Sequence, residues 1–253
     1  LHSKNILHLL ATSLHALISY NFKRMDNIDE MVNLYKDNRY RYEQFLIAVR
    51  AFFESHPALH NPHLPIIHSI KSRLKDPDHL RDKLVRKLAS GKEITTDNLF
   101  QQITDFAGIR VLHLYQEQFV EIHKAILEKI DEGDWCFAEP PVAYTWDKES
   151  EKFFDDLQIR REVKESYYTS IHYLIRPNNT RSFVCCEIQV RTLFEEIWGE
   201  IDHTINYPHS TDSVACLEQL RVLSKLASTG TRLADAIFRS FDEYQQKIYK
   251  TSE

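Results

Sequence analysis

Glycine is scarce in this chain: Gly91, Gly108, Gly133, Gly199 and Gly230 are the five in 253 residues. No GxGxxG and no GxxxxGKS or GxxxxGKT can be assembled from them. Glycine loops are therefore excluded as a way of cradling phosphate, and any nucleotide must be held by side chains. Cysteine is limited to Cys136, Cys185, Cys186 and Cys216, with no CxxC and no zinc-ribbon spacing, which predicts reduced core thiols in a cytoplasmic protein. There is no positive excess. The net charge of -5 argues against a protein that coats nucleic acid non-specifically, although a local basic groove is compatible with it. No apolar run is long enough to span a membrane. Residues 1–18 are apolar but carry His2, Lys4, Asn5, His8, Ser13 and His15, and no small-residue cleavage site follows, so no signal peptide is expected. The chain begins at Leu1 rather than Met, which fits a numbering that starts inside a longer protein.

What is present is ordinary for a globular protein, 43% hydrophobic and 27% charged, and long enough for one large domain or two small ones. Residues 1–55 read as helical, with Ile28, Met31, Val32, Leu34 and Tyr35, then Phe45, Leu46, Val49, Phe52 and Phe53, on a 3.6-residue period. Pro57, Pro62 and Pro65 interrupt it. A second helical block is expected from about Ile66 to Leu88, stopped at Gly91. After Phe100 the pattern changes. Residues 109–115 read as a buried strand, 119–130 as a helix, and 135–144 as a weak edge strand or loop because of Pro140 and Pro141. Residues 145–158 read as an acidic loop. Strands are expected over 168–175 and 182–191, around a turn at 177–180, with helix returning over 193–203. A long amphipathic helix is expected over 214–249, with Leu217, Leu220, Leu223, Leu226, Leu233, Ile237, Phe241 and Tyr244 as its apolar positions. This outline is α+β: a mixed sheet core flanked by helices, with extra helical N- and C-terminal segments.

Four clusters carry chemistry. Residues 187–192, Glu-Ile-Gln-Val-Arg-Thr, alternate so that Glu187, Gln189 and Arg191 share one strand face and Ile188 and Val190 the other. A carboxylate, an amide and a guanidinium in a row suit a site that binds metal and phosphate. Glu187 would be a metal ligand or a general base, and Gln189 and Arg191 would hold phosphates or orient it. Lys71, Arg73, Lys75, Arg81, Lys83, Arg86, Lys87 and Lys92 form a basic run that suits either a triphosphate clamp or a solvated helix face. Asp105, just ahead of the strand that begins Gly108-Ile109-Arg110, suits Mg²⁺ or a turn that pairs with Arg110. Tyr168, Ser170 and His172 fall on one face of a strand, which suits a stacked purine with its sugar or phosphate, or plain aromatic packing. His56, His60 and His63 have ligand-like spacing, but prolines lie among them and no carboxylate or thiol completes a zinc set.

In this order and spacing the four clusters resemble the synthetase domain of the RelA/SpoT family, over about residues 65–207. The resemblance implies a nucleotidyltransferase-like fold with a helical segment at 1–60, the synthetase domain at 61–210 and a long helix at 211–253. It implies transfer of the β,γ-pyrophosphate of ATP to the 3′-hydroxyl of GDP or GTP, giving (p)ppGpp. The family's RxK and basic helix match Arg73, Lys75, Lys83 and Arg86, implying ATP binding. Its D-x-x-GIR matches Asp105, a Mg²⁺ ligand, and Arg110, which would stack on adenine opposite Arg73. Its GYRSLH loop matches residues 167–172, with Tyr168 stacking on the acceptor guanine, His172 contacting its phosphates and Ser170 also on the acceptor side. Its ExQxRT matches Glu187, Gln189, Arg191 and Thr192, with Glu187 activating the 3′-hydroxyl and sharing the metal. Its downstream W-x-x-x-[D/E]-H matches Trp198, Asp202 and His203. The chain departs from the pattern at Tyr167 (usually Gly), Thr169 (Arg), His79 (Ser) and Glu196 (Asn in small synthetases).

The altered acceptor loop keeps two other readings open. One is a toxin-type relative that modifies the 3′ end of tRNA or an adenine nucleotide, with Lys23, Arg24, Lys36, Arg39 and Arg41 as its basic surface. The other is a silent nucleotide-binding module. No His-Asp dipeptide occurs, so the family's hydrolase domain is not expected. The terminal helices suit packing on the core, a homo-oligomer interface or a neutralising partner.

Overall fold

A computed structural model of the chain describes residues 2–61, 64–179, 183–207 and 210–251, with side chains described outside 2–26 and 249–251. Helix α1, His2–Ser55, leads into strand β1, Ser69–Leu74, and helix α2, Pro77–Ala89. A short helix α3, Leu99–Gln102, precedes β2, Ala107–His113, and α4, Phe119–Asp131. Strand β3, Trp135–Tyr144, helix α5, Glu151–Asp156, and strands β4, Arg160–Glu162, β5, Ser170–Pro177, and β6, Cys186–Thr192, follow. Helices α6, Leu193–Asn206, and α7, Val214–Thr251, complete the order.

The six strands form one mixed sheet in the order β1-β2-β6-β5-β3-β4, with β2–β6 and β3–β4 parallel and the other pairs antiparallel. One face is apolar. Ile109, Val111, Ile171, Tyr173, Ile175, Ile188 and Val190 lie in a core with Tyr35, Tyr42, Val49 and Phe53 of α1 and Phe119, Ile122 and Ile126 of α4. The other face carries the polar residues, as the alternation of residues 187–192 requires. Register lines them up in two rows: Lys71–Arg110–Gln189–His172, and Arg73–Gly108–Glu187–Leu174. Gly108 leaves the second row open between Arg73 and Glu187.

Several expectations are corrected. Residues 69–74 form a strand, not the start of a helix. Ile70, Ser72 and Leu74 are partly buried while Lys71 and Arg73 are exposed, so a period of two holds until Asp76-Pro77. Asp76 then caps α2, its carboxylate accepting from the Asp78 and His79 amides at 2.8 and 3.2 Å, with Pro77 in the first turn. Residues 135–144 form a full strand, β3, an edge as expected up to Pro141 and flanked on both sides only at Val142–Tyr144. Its prolines sit in register shifts between Phe137 and Val142, and β4 pairs only with Val142–Tyr144, so proline's missing donor is tolerated there. The acidic stretch 145–158 contains the short helix α5. Thr180 and Ser182 lie outside the described residues. Cys185 and Cys186 are buried and Cys136 and Cys216 half-buried, all as free thiols.

Helix α7 is the largest surprise. It docks by Leu220, Ser224, Ala227, Thr231 and Asp235, while Leu226, Leu233, Ile237, Phe241 and Tyr244 face outward. Of the expected apolar stripe Leu220 packs on the core, most of the rest is exposed, and a largely polar face is buried beside it.

Candidate active site

Strand β6 passes directly into α6 through Thr192. Its hydroxyl accepts from the Glu195 amide (3.3 Å), while the Glu195 carboxylate accepts from the Thr192 amide (2.7 Å). This tight junction folds α6 over the polar face of the sheet. A cleft of about 230 Å³ results, lined by Lys71, Ser72, Arg73, Asp105, Gly108, Ile109, Arg110, Glu187, Gln189, Glu200 and His203.

On one side of the cleft, Lys75 Nζ lies 2.9 Å from Asp105 Oδ2 and Lys83 Nζ 2.8 Å from Asp105 Oδ1. Burial raises the Asp105 pKa, but the two ammonium groups outweigh it and bring it down to about 2. Lys75 is pushed below its ordinary value by burial, against the pull of Asp105. Arg73 is exposed at the rim. Arg86 is set apart, its guanidinium 5.9 Å from the Tyr207 ring, which stacks at 4.6 Å on His203 of the cleft wall.

At the centre, Glu187 is held from two sides. Gln189 Nε2 donates to Oε2 at 2.7 Å, and His172 Nδ1 lies 3.2 Å from Oε1. Burial pushes the Glu187 pKa up, but these contacts outweigh it and hold the carboxyl below its ordinary value. The Gln189 carbonyl accepts from Arg191 (3.0 Å) and Arg110 (3.3 Å), which fixes its amide nitrogen toward Glu187. Arg191 itself is buried. It donates to Ser170 Oγ (3.2 Å), the Tyr168 hydroxyl and Glu196 Oε2 (3.2 Å). Gly199 makes room for it, since a Cβ there would come within 2.7 Å of Arg191 Nη1. Ser170 is fully buried against this guanidinium, and Tyr168 donates or accepts at 2.8 Å with His172 Nε2. Its ring lies 4.9 Å from the Arg191 guanidinium.

The structure thus brings Arg73, Asp105, Arg110, Glu187 and Gln189 into one cleft. Lys75 and Lys83 reach it through Asp105, and Tyr168, Ser170 and His172 through Arg191 and Glu187. Lys71, expected only as a member of the basic run, also lines the cleft, whereas Ser72 and Glu200 were not singled out by the sequence and Glu196 stood there only as a departure from the family pattern. Glu196 bridges Lys71 (2.8 Å), Arg110 (3.1 Å) and Arg191, and Glu200 also pairs with Arg110 at 2.5 Å. Their i, i+4 spacing, with His203 one turn on, was the available signal. Of the rejected histidine set, His56 lies 3.3 Å from a Glu128 carboxylate oxygen, His60 lies 2.7 Å from the Phe53 carbonyl, and His63 is outside the described residues. No group of three metal-binding side chains occurs among the described residues, and no described helix is long and apolar enough to cross a membrane.

A family model described as a region found in RelA / SpoT proteins matches residues 72–212, more than half of the chain. The chain belongs to the RelA/SpoT family. The matched region runs from β1 through α6 and includes every residue of the cleft except Lys71. Among RelA/SpoT relatives, the chain is 26% identical over 196 residues to the GTP pyrophosphokinase YwaC of Bacillus subtilis, spanning 74% of this chain and 82% of that protein. It is 27% identical over 169 residues to the GTP pyrophosphokinase YjbM of the same organism, spanning 65% and 66%. The crystal structure of small alarmone synthetase 1 from Bacillus subtilis, bound to its product pppGpp, superposes with a TM-score of 0.61 at 20% identity, covering 83% of this chain and 98% of that one. The fold expected for the family, a mixed sheet flanked by helices, is the one observed.

Proposed function

We propose that the protein transfers the β,γ-pyrophosphate of ATP to the 3′-hydroxyl of GDP or GTP. The observation that carries this reading is the position of Glu187, which lines the cleft with Asp105, Arg73 and Arg110 and is tied through His172 to Tyr168. Donor and acceptor halves meet at this one carboxylate. In the reading, Arg73 and Arg110 flank the adenine, and Lys75 and Lys83 pass from Asp105 to the phosphates. Tyr168 and His172 seat the acceptor. The acceptor's 3′-oxygen attacks the β-phosphorus, the bond from that phosphorus to the oxygen bridging the α-phosphate breaks, AMP leaves, and Glu187 takes the hydroxyl proton. Its lowered pKa keeps Glu187 ionised for this role.

Asp105 and Glu187 also fit Mg²⁺. They are hard oxygen donors lining the same cleft, and phosphate oxygens and water would complete such a shell. The ion would supply charge neutralisation at the phosphates. The free thiols support a cytoplasmic setting.

A second acceptor, the 3′ end of tRNA or an adenine nucleotide, is favoured by one observation. Lys36, Arg39 and Arg41 are exposed on α1, and Arg39 lines a groove that runs to Arg73 with Arg50. Lys23 and Arg24 lie outside the described side chains. Protein given γ-labelled ATP, Mg²⁺ and separately GDP, GTP, ATP or tRNA tests the reading, with Glu187→Gln as control. Label on GDP or GTP, lost in the variant, is the expected result. Label only on tRNA or adenine nucleotide replaces the acceptor, and label on none overturns the reading in favour of a silent module.

A further inference from the structure

The buried polar face of α7 has no part in the chemistry described above, yet polar groups are buried only where they are bonded. Their partners identify what the helix does. Ser224 Oγ donates to the main-chain carbonyl of Tyr167 at 2.8 Å, and Trp146 Nε1 donates to Ser224 Oγ at 2.9 Å. One turn on, Ser228 Oγ donates to Asp147 Oδ2 at 2.7 Å, and Arg232 pairs with the same carboxylate. Thr231 meets Thr192, the junction of β6 and α6, at 3.1 Å. The helix therefore grips the back of the segment that carries Tyr168.

Tyr167 is the point of strain. Its φ is +60°, a left-handed conformation that costs a residue with a Cβ about 1–2 kcal/mol. Such a residue persists only where its surroundings over-determine it. Here its amide donates to the Lys164 carbonyl at 3.0 Å, its carbonyl accepts from Ser224, and its ring lies edge-on to Trp146 at 5.4 Å. The direction of the relay is fixed. An indole N–H only donates, so the single hydroxyl proton of Ser224 is left for the Tyr167 carbonyl. The peptide plane between Tyr167 and Tyr168 is thereby set, and with it the presentation of the Tyr168 ring to Arg191 and His172.

We propose that Ser224 and Trp146 are positioning residues for the acceptor, and that α7 is a working part of the acceptor half rather than a wrapping. The inference rests on the reading of the Tyr168 loop as the acceptor subsite. It is tested in the full chain by the KM for the acceptor and the KM for ATP, measured separately in Ser224→Ala, Ser224→Thr and Trp146→Phe. Ser224→Ala is expected to raise the acceptor KM about tenfold, the equivalent of about 1.4 kcal/mol, with the KM for ATP and the kcat at saturating acceptor within about twofold. Ser224→Thr, which keeps the hydroxyl, restores the acceptor KM. Should Ser224→Ala not fold, Trp146→Phe, which leaves the bond to Tyr167 in place, carries the same split with a rise of about threefold. An unchanged acceptor KM, or equal rises in both KM values, overturns the inference while leaving the functional reading intact. Wild-type protein that transfers to no acceptor overturns both.

Discussion

Replacing Asp105 with Asn removes the charge that holds Lys75 and Lys83 together. The side chain is 22% exposed and the Lys75 side chain 11%, so screening by water is small. A carboxyl held at about 2 in the folded chain and 3.8 in the unfolded one contributes about 2 kcal/mol at neutral pH. The folded value is depressed, so this stability is fully present above 3.8 and is lost as the pH falls through about 2. Asp105→Asn should therefore lower the stability by about 2 kcal/mol at pH 7, a fall in Tm of about 4–8 °C. Urea unfolding at pH 7 and at steps between pH 5 and 2.5 is the assay. The deficit should shrink below about pH 4, where the carboxyl of the unfolded wild-type chain takes up its proton while the folded one still holds its charge. A variant as stable as wild type at pH 7, or a deficit independent of pH, would refute the argument that Asp105 neutralises the lysine pair. Transfer activity should fall independently, by about 10²–10³-fold, as expected when a fixed charge at the reacting phosphates is lost.

Glu187→Gln keeps shape and removes the proposed base, so kcat should drop by about 10²–10⁴-fold with the KM for ATP nearly unchanged, as steady-state kinetics would register. Gly199→Ala puts a Cβ within 2.7 Å of Arg191 Nη1; chemical denaturation should give a loss of about 1–3 kcal/mol, and an unchanged midpoint would mean the guanidinium sits elsewhere. Tyr35→Phe removes the 2.7 Å bond from the Tyr35 hydroxyl to the Lys75 carbonyl, at a cost of about 1 kcal/mol, and should raise the KM for ATP more than that for the acceptor.

The polar face of β6 was legible from sequence because a period of two is exact. Once Ile188 and Val190 are buried, Glu187, Gln189 and Arg191 have only one side to occupy. What the pattern could not convey is depth. Arg191 reads as a phosphate ligand, yet it lies beneath the site, because Gly199, eight residues away on the next helix, opens the space that takes its guanidinium. Strand β1 was missed because its six residues lie between prolines and a strong helix cap, too short for periodicity to separate from the helix behind it. Helix α7 was legible as a helix, but its docking face was not, for the opposite reason. Its apolar stripe is clear, but the partners of its polar face are main-chain and side-chain groups more than thirty residues away, and no local pattern encodes them.

Those partners give the two terminal helices parallel roles. At the N-terminal end, Tyr35 of α1 donates to the carbonyl of Lys75, the lysine whose side chain faces Asp105. At the C-terminal end, Ser224 of α7 donates to the carbonyl of Tyr167, beside the tyrosine that meets His172. Each helix thus fixes a peptide plane next to a site residue without entering the site. Between the two halves stands Glu196, buried, with one carboxylate oxygen on Lys71 and Arg110 and the other on Arg191. Breaking a buried pair leaves an uncompensated charge and costs about 3–5 kcal/mol, so the arginine at the cleft and the arginine beneath Tyr168 cannot shift independently. Glu196→Gln should therefore loosen both halves together, raising the KM values for ATP and for the acceptor in the same variant. Ser224→Ala and Tyr35→Phe should each move one and leave the other. A Glu196→Gln variant that moved only one KM would show that the carboxylate serves a single half, and that the halves communicate only through Glu187.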